Sequence, residues 1–377
     1  MLNLLHVSSL VKFLFDGKAL SCYIMRQGGP EKMSITEKIC QELKKRLEQG
    51  VYPAGSRFPS ESTLADEFSV NKMTMNKVVS LLADQHYLIR GIRGAGTRVA
   101  DNSCRPRGTL AFLSPLAPYS ICVLRGVYAE AVRHNFAVIA ESPAIEDLQH
   151  RLNMLKNMNV AGVICTTYGV PVLPEGMALS CVDSEPRSVP EGQKTVFINS
   201  DNFHGGVQMM EEILRRGHKE ILIFSAERFS SNRQAPKTVR VCGFHQVMQN
   251  NGIADFEERT FYSAPDSLAD AKYFLETFLP RFPRTTLIAA DSDGAAALVH
   301  AAARQLKVKC PSEIALTGFG NVTQLPIASV NQNPERQGEL AARYLIEFAS
   351  TNQWTAPLLS RVETSLTDVE QIPIQLG

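Results

Sequence analysis

GVYPAGSRFPSESTLADEFSVNKMTMNKVVSLLADQHYLIRGIRGAGTRV, residues 50–99, is the stretch that decides the fold. Gly50 and Pro53 close a preceding helix, and Pro59-Ser60-Glu61 opens a short one that turns Leu64, Ala65 and Phe68 inward. Ser69-Val70 interrupts that pattern. A third helix starts near Asn71, with Met75, Val78, Val79 and Leu82 at helical spacing as its buried stripe. Its other face shows Asn71, Lys72, Met73, Asn76 and Lys77. Lys72 and Asn76 are four apart and project together. Leu88-Ile89-Arg90 and Thr97-Arg98-Val99 flank a loop with Gly91, Gly94 and Gly96, the pattern of a β-hairpin whose tip carries Arg93.

Working upstream, Ser34-Ile35-Thr36-Glu37 has the S-x-x-E spacing of a capping box, in which two side chains satisfy free N–H groups at a helix start. Ile35, Ile39, Leu43 and Leu47 follow at four-residue intervals, one apolar helix face. Helix, helix–turn–helix and hairpin make a winged helix-turn-helix over 34–100. This segment holds 10 Lys+Arg and 7 Asp+Glu, a net of +3. The order of elements is the stronger signal. Ser60 and Asn71 have a structural use as helix caps beside any contact they make. The glycines of 91–96 lack the lysine and the strand-to-helix setting of a phosphate loop.

Residues 1–33 are mildly apolar, but Lys12, Asp16 and Lys18 interrupt the run. A membrane span needs about 20 predominantly apolar residues, and a signal peptide an unbroken apolar stretch. The segment meets neither pattern, and we expect the natural start at Met33.

Downstream, the polar, Pro-containing stretch 101–108 reads as a linker. Beyond it, in 109–377, short apolar runs alternate with amphipathic stretches. The runs are Thr109–Leu113, Phe136–Ala140, Ala161–Cys165, Ala178–Val182, Val196–Ile198, Ile221–Phe224, Leu287–Ala290, Ile314–Thr317 and Leu359–Val362. The helical stretches include Phe203–Arg216, Val239–Asn251, Ala295–Leu306 and Gly338–Ala349. Such alternation predicts α/β layers with parallel sheets. The length is large for one sheet and fits two lobes, whose C-terminal strand ends would line a shared cleft.

The whole chain of 377 residues has 39 Lys+Arg and 38 Asp+Glu, a net of +1. With 44% apolar and 20% charged residues it is neither disordered nor collagen-like. Eight cysteines (22, 40, 104, 122, 165, 181, 242 and 310) are scattered without a C-x-x-C pair, so reduced thiols in the cytoplasm are expected. There is no H-x-x-x-H, G-x-S-x-G, Walker A or G-x-G-x-x-G after a first strand. No cofactor, metal, membrane association or catalysis is therefore expected.

GVYPAGSRFPSE (50–61), LADEFSVNKMTMNKVVSLL (64–82) and YLIRGIRGAGTRV (87–99) together resemble the GntR family of bacterial regulators. Members place the third helix in the major groove of DNA and the wing in the minor groove. The resemblance implies DNA contacts from Glu61, Ser62, Asn71, Lys72, Thr74, Asn76 and Arg93. The family commonly has arginines where Lys72 and Asn76 stand, so Arg–guanine readout is less available and Asn76 points to adenine.

A second resemblance, to the LacI/GalR effector domain with its type I periplasmic-binding-protein fold, rests on four segments. They are VFINSDNFHGGVQMMEEILRRGHKEILIFSA (196–226), VRVCGF (239–244), LIAADSDGAAALVHAAARQLKVKCPSEIALTGFGN (287–321) and IASVNQNPERQGELAARYLIEF (327–348). A GntR-type head on this body is similar to arabinose-responsive regulators of the AraR type. The implied effector contacts are Ser114, Tyr119, Thr166, Asp183 and Arg240, with Asp291, Ser292, Asn321 and Gln332 on the opposing wall. A sugar presents paired hydroxyls, and an Arg fork facing carboxylates and amides suits them. Ser292 replaces a frequent Asn, and Gly320 replaces a frequent sugar-binding Asp. Arg240 has a structural ion pair as its alternative, Asp293 reads as a helix cap, and Gln332 could serve the crossover alone.

The implied protein is a ligand-responsive repressor in the cytoplasm. As a homodimer it would bind a pseudo-palindromic double-stranded operator and release it on binding a sugar or sugar-like effector. Two rival classes share the body's fold: a solute-binding protein of a sugar transporter, which gives residues 34–100 no role, and a sugar-modifying enzyme.

Overall fold

The structure is a computed structural model that describes residues 34–375 except 92–95, 102–105, 159, 167, 185, 187, 227–235 and 265–266. The leader 1–33 and Arg93 lie outside the described residues. The chain divides into two compact units, Met1–Arg105 and Pro106–Gly377.

The first unit contains helices α1 (Ile35–Glu48), α2 (Glu61–Glu67) and α3 (Lys72–Asp84) and strands β1 (Leu88–Arg90) and β2 (Thr97–Val99). The capping box is present: Ser34 Oγ accepts from the Glu37 N–H, and Glu37 accepts from the Ser34 N–H. Ser60 and Asn71 cap α2 and α3 through the N–H groups of Thr63 and Thr74. The α2–α3 turn passes through Ser69 in a left-handed conformation (φ 53°). Leu43, Leu64, Met75, Val78 and Leu82 form a fully buried centre. Burial of each such side chain contributes about 1.5–3 kcal/mol. β1 and β2 pair antiparallel, Leu88 opposite Val99.

The second unit has two α/β lobes. One sheet holds β3 (Gly108–Leu113), β4 (Phe136–Glu141), β5 (Gly162–Thr166), β6 (Ala178–Val182) and β7 (Lys194–Ser200), and β13 (Leu359–Val362) joins its edge beside β7. All its pairs are parallel. Helix α4 (Pro118–Arg133) and the late helix α10 (Pro334–Thr351) pack on one face, and α5 (Leu148–Asn157) on the other.

The other sheet has the order β14-β12-β11-β10-β8-β9. Its strands are β8 (Ile221–Ser225), β9 (Thr260–Tyr262), β10 (Leu287–Ala290), β11 (Ala315–Gly320), β12 (Ala328–Asn331) and β14 (Ser365–Thr367). Only β14 runs antiparallel, against β12. Helices α6 (Asn202–Arg215) and α7 (Pro236–Asn250) cover one face, and α8 (Leu268–Arg281) and α9 (Asp293–Leu306) the other. The chain crosses between lobes three times: between β7 and α6, between β12 and α10, and between β13 and β14.

The α6–α7 crossing is close because it is built on glycine. A Cβ on Gly206 would lie 2.3 Å from the Arg240 carbonyl oxygen, and one on Gly243 would lie 2.5 Å from that of Phe203. This approach fixes the backbone that carries Arg240.

Two histidines in this lobe are held neutral by burial. Thr260 Oγ1 donates to the Phe256 carbonyl, so it accepts from His245 Nε2 at 2.8 Å. Burial pushes the His245 pKa down to about 4. His218, between Thr286 Oγ1 and the Pro373 carbonyl, is also pushed down, chiefly by burial. The unfolded chain takes up these protons near pH 6.5 and the folded chain only at lower pH, so stability falls as pH drops below about 6.5. For His245 the slope is about 1.4 kcal/mol per pH unit until about pH 4. Urea unfolding at pH 7 and pH 5 checks this: His245→Gln should lose less stability on acidification than the wild type. Equal losses would remove His245 from the explanation.

Candidate functional site

In the first unit, Ser62, Asn71, Lys72, Met73, Asn76 and Lys77 are exposed, while Glu61 and Thr74 are half-buried. A concave surface between the hairpin and α2–α3 is lined by Arg57, Ser60, Glu61, Ser62, Lys72, Gly96 and Thr97. Cations and hydroxyls gathered this way suit phosphate oxygens. Glu61 Oε1 accepts from Asn76 Nδ2 at 2.9 Å, and Arg90 Nη2 stands 3.5 Å from the same oxygen. Arg90 Nη2 also donates to Ser80 Oγ (2.9 Å) and to the Asn76 carbonyl (3.3 Å). Arg57 and Arg90 escaped the sequence reading. Their signal was present in the quoted GSRFPSE and YLIR segments.

In the second unit, the strand ends converge on Arg240, which is 3% exposed. Its Nε donates to Asn202 Oδ1 at 2.7 Å and its Nη1 to the Asp291 carbonyl at 3.0 Å. Its Nη2 lies 3.7 Å from Asp183 Oδ1, and its guanidinium stacks over Phe319 at 4.2 Å. Asp291 is fully buried; its carboxylate accepts from Ser225 Oγ (2.6 Å) and Ser292 Oγ (2.9 Å).

Gln332 joins the lobes. Its Nε2 donates to Ser200 Oγ at 3.2 Å and lies 3.4 Å from Asp183 Oδ1. Gln337 donates to Ser200 Oγ and to the Gln332 carbonyl, and accepts from the Tyr119 hydroxyl at 3.0 Å. Burial, then the Asp183 charge, raises the Tyr119 pKa well above the ordinary phenol value, so it remains a neutral donor. Ser114 and Thr166 share a 2.5 Å hydroxyl contact at the ends of β3 and β5.

The structure thus gathers Tyr119, Asp183, Arg240, Asp291, Ser292 and Gln332 into one polar chain of contacts, with Ser114 and Thr166 paired beside the N-lobe strand ends. Asn321 stands apart: it is exposed, and its Oδ1 accepts from Thr367 on β14. Asp293 is not the α9 cap. Ser292 caps, accepting from the Ala295 N–H, whereas Asp293 accepts from the N–H groups of Val322 and Thr323 and from Ser329 Oγ. Gln332 spans the crossover and also stands beside Asp183.

Gly320 sits at φ 134°, a conformation that side-chain-bearing residues rarely adopt. Asp183 and Asp291 supply the carboxylates near Arg240. Asn202, Ser200, Phe319 and Gln337 were missed because their roles depend on long-range contacts. For Gln337 a signal existed, a polar residue on the buried Gly338–Ala341–Ala342 face of α10.

Cys40, Cys122, Cys165, Cys181, Cys242 and Cys310 are free thiols. Among the described residues no helix is long and apolar enough to cross a membrane, and no three or more His, Cys, Asp or Glu side chains gather as metal ligands do.

Comparison with known proteins gives both units a class. Residues 35–99 match the gntR family of bacterial regulatory proteins, and residues 210–367 match the periplasmic binding protein-like domain. The chain therefore carries a gntR-type helix-turn-helix domain followed by a periplasmic-binding-protein-like domain. It is similar to the histidine utilization repressor of Klebsiella aerogenes, 32% identical over 26% of this chain and 36% of that protein. That match spans little more than a third of the relative. The arabinose metabolism transcriptional repressor of Halalkalibacterium halodurans is 20% identical over 82% of this chain and 87% of its own. Among solved structures, the complex of the regulator CelR with cellobiose matches at a TM-score of 0.57 and 19% identity, covering 82% of this chain and 98% of that one. At that identity the likeness establishes the fold.

Proposed function

We propose that this chain is a one-component transcriptional repressor of the cytoplasm that leaves its operator on binding a sugar or sugar-like effector. The observation that carries it is the joining, in one chain, of a helix-turn-helix with an exposed Lys72–Asn76 face and a two-lobed body whose strand ends converge on Arg240. The effector would be held by Arg240, Asp183 and Gln332, with Asp291 and Ser292 behind them and Ser114, Tyr119 and Thr166 at the margins; Asn321, exposed and bonded to Thr367, lies outside this group. Each hydroxyl of a sugar both donates and accepts, which a guanidinium fork facing a carboxylate and an amide can answer in pairs. The names of two similar proteins, an arabinose repressor and a cellobiose-bound regulator, support a sugar. Binding replaces turnover in this reading, so the chain is not an enzyme.

The protein would act as a homodimer, each winged helix taking one half of a pseudo-palindromic duplex site. Ser62, Asn71, Lys72 and Thr74 would grip the backbone, with Arg93 in the wing. Effector binding must favour one body conformation over the other, a coupling commonly of about 1–3 kcal/mol.

Two measurements test this. A ligand that binds the folded state stabilises it by about 2.7 kcal/mol at a hundredfold excess over Kd. Thermal denaturation against arabinose, ribose, cellobiose and related sugars should therefore reveal a stabilising member; none stabilising would remove the sugar. Lys72→Ala should weaken DNA binding across sequences and lower the salt slope by about one per half-site. An unchanged gel-shift affinity would reject α3 as the DNA-facing helix.

A further inference from the structure

We infer that α3 reads an A·T-containing step in each half-site, with Asn76 taking an adenine, Met73 packing on a thymine methyl, and Glu61 acting as the positioning residue that aims Asn76. This rests on the DNA-binding reading above and specifies its target.

An asparagine amide can point either way, and only one orientation suits a carboxylate neighbour. Glu61 can only accept, so it holds the Asn76 nitrogen, at 2.9 Å. The amide oxygen and the second N–H are left for DNA. That is one acceptor and one donor, the pair that meets N6–H and N7 of adenine in the major groove. Guanine offers two acceptors there and would leave the Asn76 oxygen opposed to another oxygen. Arg90 secures the arrangement: it approaches Glu61 and donates to Ser80 Oγ and to the Asn76 carbonyl. A carboxylate facing phosphates would repel them, so positioning suits Glu61 better than direct contact.

Met73 is the second observation. It is 83% exposed, on α3 three residues before Asn76 and so on the neighbouring part of the same surface. An unbranched thioether in water gains by covering an apolar group, and the major groove offers one, the C5 methyl of thymine. The exposed face of α3 has no arginine, the usual guanine reader. Its lysines are Lys72, in the concavity with Arg57 and Ser62, and Lys77, one turn further on.

The test uses the full-length protein and a randomised duplex library. Enriched sequences should share symmetric half-sites containing an A·T step. Replacing the key adenine by 7-deazaadenine should cost wild-type protein about tenfold in affinity. Replacing the neighbouring thymine by deoxyuridine should cost about fourfold, the loss of one methyl contact. Asn76→Ala should be blind to the first change and Met73→Ala to the second. Glu61→Ala should lose adenine preference, and Glu61→Gln, whose amide can also donate and so hold Asn76 either way round, should keep only part of it; a purely structural Glu61 would move stability without moving base preference. Enrichment of guanine where Asn76→Ala relaxes selectivity, or indifference of the wild type to both base analogues, would overturn the inference while DNA binding stands. A library with no enrichment would remove the DNA-binding reading and the inference with it.

Discussion

Arg240→Ala is expected to eliminate effector binding and to cost the second unit about 3 kcal/mol or more. The guanidinium is 3% exposed and makes charge-assisted bonds to Asn202 and to the Asp291 carbonyl. Bonds of this kind contribute about 1.5–3 kcal/mol each, and leaving their partners buried and unmatched adds to the loss. The stack on Phe319 goes as well, and Asp183 keeps its charge without the neighbouring cation. At roughly 2–4 °C per kcal/mol for a unit of this size, the melting temperature should fall by about 10 °C. Arg240→Lys separates the two roles. It keeps the charge but not the fork, so it should recover part of the stability and little of the effector binding. Calorimetric titration of the stabilising sugar, with thermal melts of both variants, provides the check. Full sugar affinity in Arg240→Ala would take Arg240 out of the site.

Gly206→Ala is the second large effect. Its added methyl would sit 2.3 Å from a backbone oxygen, that of Arg240 itself. A flexible side chain could swing away, but a carbonyl inside α7 cannot. Helices α6 and α7 must therefore separate, opening the interface of Met209, Met210, Val241 and Phe244. Overpacking of this kind costs about 1–3 kcal/mol and more where backbone is the obstacle. Because α7 carries Arg240, the shift should also weaken sugar binding, although Gly206 is not among the candidate effector residues. The expected result is a melting temperature lower by several degrees together with reduced sugar affinity. Wild-type values for both would show that the crossing tolerates a wider spacing.

The first unit was legible because its signals are local. Capping residues sit within three positions of the N–H groups they serve, and the α3 stripe of Met75, Val78, Val79 and Leu82 is buried as its spacing demands. The apolar runs of the body likewise became parallel strands. The strands that escaped notice are short. β9 and β14 have three residues each, and β12 reads Ala-Ser-Val-Asn, small and polar by composition. They are strands because neighbours pair with them, which no short window records.

The same cause explains the site. Ser292 and Asp293 are both good cap residues by type, and only the distant Val322, Thr323 and Ser329 decide that Asp293 turns away to hold the loop after β11. The R-x-x-G-F setting singles out Arg240 as a candidate, but its partner Asn202 is 38 positions earlier. The Glu61–Asn76 bond, spanning 15 positions, was invisible for that reason. It converts two residues that look like independent DNA contacts into one oriented pair.

Coupling between the two units is tested most directly by DNA affinity with and without the stabilising sugar. Full-length protein is titrated onto a duplex taken from the enriched library, at fixed salt, in the absence of sugar and at saturation. The expected result is an affinity about 5- to 150-fold weaker with sugar, corresponding to 1–3 kcal/mol of coupling. An unchanged affinity at saturating sugar would contradict a sugar-released repressor, even if DNA and sugar each bind.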